Sequence, residues 1–287
     1  MRRLIINADD FGLTLGVNQA IIEGSNRGVL TSATIMANSR AFDDAITLAK
    51  STPQLRTGCH VVLIDGEAVS LDAASLTDVS GRFRTKLKDF ARAVFEKKMS
   101  GDDIEREAGA QMCRILSHGV TLTHIDSHKH THMFPQVLRP VLRAAKACGV
   151  RAVRNPFEPL RTWTVGLLAA RPGLWLRCAG VATFQMFARE FRKAVREEGM
   201  QTTDGTVGIA ATGKLDRPML IAIISALPEG TWELVCHPGY ADADLKNAGT
   251  RLIASRELEL EALTADETRA ALKKRGVELI SYADLTA

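Results

Sequence analysis

Residues 124–132 read HIDSHKHTH, placing four of the chain's seven histidines and one aspartate within nine positions, every one at an even number. An extended strand sends alternate side chains to one face. If the stretch stays extended, His124, Asp126, His128, His130 and His132 all point one way, and imidazoles beside a carboxylate are donors for a divalent metal. Burying so many imidazoles without ligation would leave many donors and acceptors to satisfy. For His130 and His132 both a solvated loop and a direct contact with substrate remain open.

Metal-assisted hydrolysis also needs a base beside the attacking water and an acid for the leaving group. The run NADDFG at 7–12 supplies adjacent carboxylates, Asp9 and Asp10, directly after an apolar stretch. Neighbouring strand side chains diverge, so one could ligate while the other takes a proton; alternatively the pair opens a turn and caps the next helix. His60, in GCH, would on its own be a satisfied core histidine. His237, in CHPG, is either an acid at the rim of a cleft or a turn residue. His118 precedes a glycine at a helix end, where a cation suits the dipole, and is expected to be structural. Cys59 and Cys236 each precede a singled-out histidine, yet consecutive strand residues face opposite ways, so both read as small core residues.

Positioning these groups falls to an alternation of strand-like and helix-like segments. RLIINAD, SATIMAN, RTGCHVVL, VTLTHIDSH and AVRNP read as strands, as do the later GTVGIA, TWELVCH and VELISY. Between them lie helical stretches such as VNQAIIEGSNRG, DDIEREAGAQMCRILSHG and PQVLRPVLRAAKACG, the last with a proline near its start and a glycine at its end. A polar insertion spans residues 64–86. Such alternation implies a mainly parallel sheet covered by helices, closed as a barrel or open, with ligands at the carboxyl ends of the strands. The polar motifs fall at those ends, so five strand ends are expected to converge on one cleft.

Composition narrows the function classes. With 287 residues, 46% hydrophobic and 24% charged, the chain is an ordinary globular protein rather than a disordered one. Its length alone suggests about two domains, although α/β barrels use about 200–250 residues as one. After MRR only three apolar residues precede Asn7, too few for a secretory signal, so a cytoplasmic location is expected. Five scattered cysteines without a CxxC pair speak against a disulfide framework or zinc ribbon. No glycine-rich phosphate loop and no GxSxG occurs, which weakens nucleotide-dependent and serine-hydrolase readings. Nucleic acid is not an expected partner.

Together NADDFG, GCH, THIDSHKHTHMFP at 123–135, VRNP at 153–156 and CHPGY at 236–240 make the chain resemble the YdjC-like carbohydrate deacetylases, which include chito-oligosaccharide deacetylases. The resemblance runs over the whole chain, 1–287, as one domain with helical insertions. It implies an α/β fold, a distorted (β/α) barrel of mainly parallel strands holding one divalent ion, zinc or magnesium. By the same resemblance the metal ligands are Asp10, His60 and His128, the base is Asp9, the acid is His237, and Arg154 resembles an arginine that orients a catalytic carboxylate. GCHVVLIDGEAVS and GRFRT at 81–85 are similar to the hopanoid-biosynthesis branch called HpnK, which implies an N-acetylglucosaminyl hopanoid as substrate. GCHVVL departs from the commoner pattern, an aliphatic residue before the histidine and Leu-Thr after it, which puts a soluble chito-oligosaccharide in doubt. His124, Asp126, His130 and His132 are the expected substrate contacts.

Between Arg151 and Arg196 nine basic residues face two acidic ones, a local balance of +7 in a chain of net charge +4. Trp163, Trp175, Phe184 and Phe187 lie in the same region. Tryptophan with arginine suits a membrane interface, so residues 151–196 could form a lid that meets the inner membrane face; an ordinary helical insertion packing both tryptophans inside is the alternative. Competing functions are a metal-dependent phosphoesterase, with His124, Asp126 and His130 as extra ligands, and a non-catalytic glycolipid-binding protein.

Overall fold

The computed structural model of the chain describes residues 1–159, 171 and 173–285. Arg161, Trp163 and Pro172 of the basic aromatic region therefore lie outside the described residues. The first strand, β1 (Arg2–Phe11), is buried from Leu4 onward, as an apolar run at the centre of a parallel sheet must be. Next come α1 (Leu15–Asn26), β2 (Ser32–Ile35), α2 (Phe42–Ser51), β3 (Arg56–Val61), α3 (Leu87–Phe95), α4 (Gly101–Ser117), β4 (Ile125–Ser127) and α5 (Pro135–Ala147). After residue 171 follow α6 (Leu174–Thr183), α7 (Ala188–Glu197), β5 (Gly205–Val207), α8 (Arg217–Ala226), β6 (Gly230–Cys236), α9 (Ala243–Asn247), α10 (Ala254–Thr264), α11 (Asp266–Arg275) and β7 (Val277–Leu279).

The strand order is β4-β3-β2-β1-β6-β5, every pairing is parallel, and β7 joins the first residues of β1. Beyond β4 the sheet curls on through single bridges, Ile125 to Val153 and Ala152 to Gln201. Thr206 N then donates to Phe157 O at 3.2 Å, which brings the chain back toward β5. The result is a distorted (β/α) barrel. AVRNP pairs through these bridges and ends at Pro156, which has no N–H to offer a ladder.

Because the strands are parallel, their carboxyl ends share one rim. Asp9 and Asp10 end β1, His60 lies near the end of β3, Asp126 sits in β4, and His237 directly follows β6. One apolar cluster, running from Leu4 and Phe11 through Val61, Ile125 and Leu234, backs this rim. The polar insertion is tied down by Glu107 of α4, whose carboxylate accepts from Val69 N at 2.9 Å and Ser70 N at 2.8 Å. His118 caps the carboxyl end of α4, with its Nδ1 2.8 Å from Arg114 O.

The histidine stretch departs from the extended expectation. Only Ile125–Ser127 is strand; His128–Met133 form a tight 3₁₀ turn in which Lys129 and His130 have φ of 53° and 54°. Two successive non-glycine residues in the left-handed region cost on the order of 1–3 kcal/mol each. That backbone turns the even-numbered side chains in different directions. Trp175, on α6, is 54% exposed rather than packed in the core. Among the described residues no helix is long and apolar enough to cross a membrane.

Candidate active site

Asp10, His60 and His128 converge at the rim. His60 Nε2 is 3.2 Å from His128 Nδ1, and Asp10 Oδ1 is 3.6 Å from the first and 3.5 Å from the second. Donors about 2.1 Å from a tetrahedrally bound ion lie about 3.4 Å from one another, so the trio has the spacing of three ligands. Asp9, His60 and Asp126 form a second cluster close enough to hold an ion. There both carboxylates are already engaged by Arg154, and His60 faces Asp126 through Nδ1 rather than Nε2. Of the two clusters, the first is the better suited to hold an ion.

Asp10 reaches the trio by a local break in the strand. Its φ is 66°, and the β1–β2 register slips between Ala8 and Phe11. Both aspartates therefore line the same cleft instead of diverging, and their partners distinguish them. Neither caps α1, whose N-cap is Thr14, accepting from Val17 N. Arg256 Nη2 donates to Asp10 Oδ2 at 2.5 Å. Burial alone would raise the Asp10 pKa, but Arg256 and His128 outweigh it and hold the carboxyl well below its usual range.

Arg154 is fully buried and grips three carboxylates. It donates to both oxygens of Asp9 at 2.6 and 2.8 Å, to Glu233 Oε1 at 2.6 and 2.9 Å, and lies 2.7 Å from Asp126. Burial works against ionised Asp9, yet the guanidinium prevails and keeps it charged. Asn7 Nδ2 adds a third donor to Asp9 at 3.0 Å. Asp126 Oδ1 in turn accepts from His60 Nδ1 at 2.8 Å, which points His60 Nε2 at Asp10 and His128. Burial opposes charge on the His60 imidazole, but Asp126, Asp9 and Asp10 outweigh it and drive its pKa up to about 9.

The remaining histidines divide sharply. His124 is buried, stacks on Tyr282 at 3.8 Å and faces Asn7 Oδ1 through Nε2 at 3.1 Å. His132 bolts the turn to Arg154, with Nδ1 2.5 Å from Ser127 Oγ and Nε2 3.1 Å from Arg154 O. Burial pushes its pKa down to about 3, Arg154 adding to the effect, so it is a neutral bolt rather than a solvated loop residue. His130 lines the cleft with its Nδ1 buried and unpartnered. Gly58 explains itself here, since a Cβ would sit 2.6 Å from the His124 ring and backbone oxygen.

The cleft, about 660 Å³, is lined by Asp9, Asp10, His60, His128, His130 and His237 and walled by Leu13, Met36, Leu87, Met133, Val181 and Phe184. His237 Nε2 lies 3.8 Å from Asp9 Oδ2. Burial lowers its pKa to about 4 against the pull of Asp9 and Asp10. Cys59 and Cys236 are buried and belong to neither candidate ligand cluster. Sequence reasoning missed Glu233, Tyr282, Arg256 and Glu259. A lone glutamate in the apolar strand TWELVCH was a signal for Glu233, whose Oε2 also accepts from Tyr282 at 2.5 Å. Arg256 and Glu259 sit in a helix whose RELELE pattern is that of a solvated face, and nothing in it separates them from neighbouring charges.

A family model described as YdjC-like protein matches residues 3–274. The chain belongs to the YdjC-like family. This YdjC-like protein is 35% identical over 283 residues to a carbohydrate deacetylase of Brevibacillus brevis, covering 99% of both chains. It is 34% identical to a chitooligosaccharide deacetylase of Klebsiella pneumoniae, again over 99% of both. A solved structure from Enterococcus faecalis, named for cellobiose-phosphate cleavage, superposes with a TM-score of 0.78 at 26% identity, covering 99% of this chain and 98% of that one. Both relatives match this chain over nearly its whole length.

Proposed function

We propose that this protein is a metal-dependent N-deacetylase that removes acetyl from an N-acetylglucosaminyl lipid of the hopanoid type, as the HpnK branch would. One observation carries the chemistry: the Asp10, His60 and His128 donors share a cleft with an ionised aspartate and a histidine. Two imidazoles and a carboxylate suit zinc, with magnesium the other candidate. An ion held there would polarise the acetamide carbonyl and lower the pKa of water. Asp9, kept ionised and aimed by Arg154, accepts a proton from the attacking water. As the water oxygen bonds to the acetyl carbon, the C–N bond breaks. His237 Nε2, 3.8 Å from Asp9, takes up the proton that Asp9 drew from the water and passes it to the departing nitrogen, which otherwise leaves poorly. Acetate and a free amine result. Of the four expected substrate contacts, His130 alone lines the cleft, so it is the one we assign to the sugar.

Two features support a lipid-linked substrate. The cleft walls are largely apolar, and α6, which contributes Val181 just before Phe184, also carries the exposed Trp175 and Leu176. Met186, before α7, and Arg189, Arg192, Lys193 and Arg196 on it are exposed as well, a combination suited to an anionic bilayer. Deacetylation of soluble chito-oligosaccharides is the second reading, supported by the name of the Klebsiella relative. A phosphoesterase is disfavoured, because His124 and Asp126 are committed to protein partners. The test is acetate release by zinc-loaded protein from N-acetylglucosaminyl hopanoid and, in parallel, N,N′-diacetylchitobiose. Release from the lipid alone supports the proposal, release from chitobiose alone removes the lipid, and silence on both sinks the deacetylase. For the bilayer contact, anionic vesicles should float the wild type at low salt but not a variant with Arg189, Lys193 and Arg196 changed to Glu; no flotation of wild type removes it.

A further inference from the structure

The helix α10 packs its buried side against both halves of the site. Arg256 and Glu259, three residues apart and each 1% exposed, project from it onto different targets. Arg256 holds Asp10 Oδ2 and anchors its own Nε on Leu252 O at 3.0 Å. Glu259 Oε2 accepts from the backbone N of His237 at 2.6 Å and lies 3.9 Å from that imidazole's Nδ1. Gly239, in the CHPGY run, makes room for this arm, since a Cβ there would meet Arg256 Cδ at 2.8 Å. Charged groups this deep are costly unless paired. Yet Arg256 Nη1, Glu259 Oε1 and His237 Nδ1 are all buried without a hydrogen-bond partner. Both side chains direct a hydrogen bond at a residue of the cleft, Arg256 at Asp10 and Glu259 at His237, as groups that orient reactive side chains do.

We propose that Arg256 and Glu259 are positioning residues, Arg256 holding Asp10 so that Oδ1 faces His60 and His128, and Glu259 holding His237 by its Nδ1 side so that Nε2 faces the cleft. The proposal rests on the deacetylase reading. With Oδ2 occupied by the guanidinium, Oδ1 is the oxygen left for the histidine pair. With Glu259 on the Nδ1 side of the ring at 3.9 Å, Nε2 is the nitrogen left facing Asp9, and the proton that reaches the substrate nitrogen travels through it. Glu259 thus acts on the leaving group and Arg256 on the metal.

The two roles separate in the assay. Glu259→Gln should lower kcat for acetamide hydrolysis about 10–100-fold with KM within about twofold, the usual cost of removing such a partner. On 4-nitrophenyl acetate, whose phenolate departs without a proton, the same variant should lose less than about threefold, and its zinc affinity should stay within about threefold of wild type. Arg256→Lys should weaken zinc binding about 10–100-fold in a chelator competition. Equal losses on amide and ester overturn the role of Glu259, and wild-type zinc affinity in Arg256→Lys overturns that of Arg256. Should Glu259→Gln fail to fold, Glu259→Asp, which keeps the charge but withdraws it by one methylene, must show the same amide-over-ester pattern. If wild-type protein binds zinc yet releases no acetate from any amide, the deacetylase reading fails by itself, and the zinc comparison still decides Arg256.

Discussion

Replacing Asp9 by Asn separates the base from the metal ligand next to it. The amide keeps the shape of the carboxylate, so Arg154 retains one acceptor on residue 9 together with Asp126 and Glu233. What changes is the second oxygen, now an NH₂ facing the Nη1 that sat 2.8 Å from Oδ2. One buried donor left unmatched costs about 1–3 kcal/mol, a loss a domain of about 5–15 kcal/mol survives. Losing a general base costs about 10²–10⁴ in rate, or about 2.7–5.5 kcal/mol of transition-state stabilisation. Asp9→Asn should therefore remain folded in urea titration, bind one zinc per chain in equilibrium dialysis, and release acetate at least about a hundredfold more slowly. Asp10→Asn, which strips an oxygen from the donor trio, should lose zinc as well as turnover. A rate for Asp9→Asn within about threefold of wild type, or zinc loss equal to that of Asp10→Asn, would refute the division of roles.

Further outcomes follow from the same contacts. In metal-free protein His60 titrates near 9, above its ordinary 6.5, so the stability it contributes is complete below about 6.5 and fades as pH rises through about 9. Zinc requires the neutral ring, so uptake near pH 7 should expel a proton and tighten as pH rises, read by calorimetry in buffers of different ionisation enthalpy; no buffer dependence would remove His60 from the ligand set. Gly58→Ala drives a methyl into the His124 ring and backbone and should cost about 1–3 kcal/mol or more in urea unfolding. Tyr282→Phe removes the hydroxyl that donates to Glu233 and should cost about 1–3 kcal/mol while leaving zinc stoichiometry unchanged, checked by thermal melting and dialysis.

What the sequence by itself determined is the set of parallel strand ends. Strand-like runs that close in NADD, GCH, HIDSH and CHPG must deliver their polar residues to one rim, because parallel strands all end on the same side. That is enough to bring Asp9, Asp10, His60, Asp126, His128 and His237 together. Period-two spacing could not tell that the chain turns at His128, since the left-handed backbone of Lys129 and His130 is imposed by the packing of the turn and not by residue type. Hence five even-numbered residues that looked equivalent became a ligand candidate, a cleft residue and three buried anchors. Nor could local pattern reveal which charge meets which. Arg154 reaches Asp9 across 145 positions and Arg256 reaches Asp10 across 246. Pairings at such separations are made only when the barrel curls and α10 lies over its rim, and burial then decides which partners each carboxylate keeps.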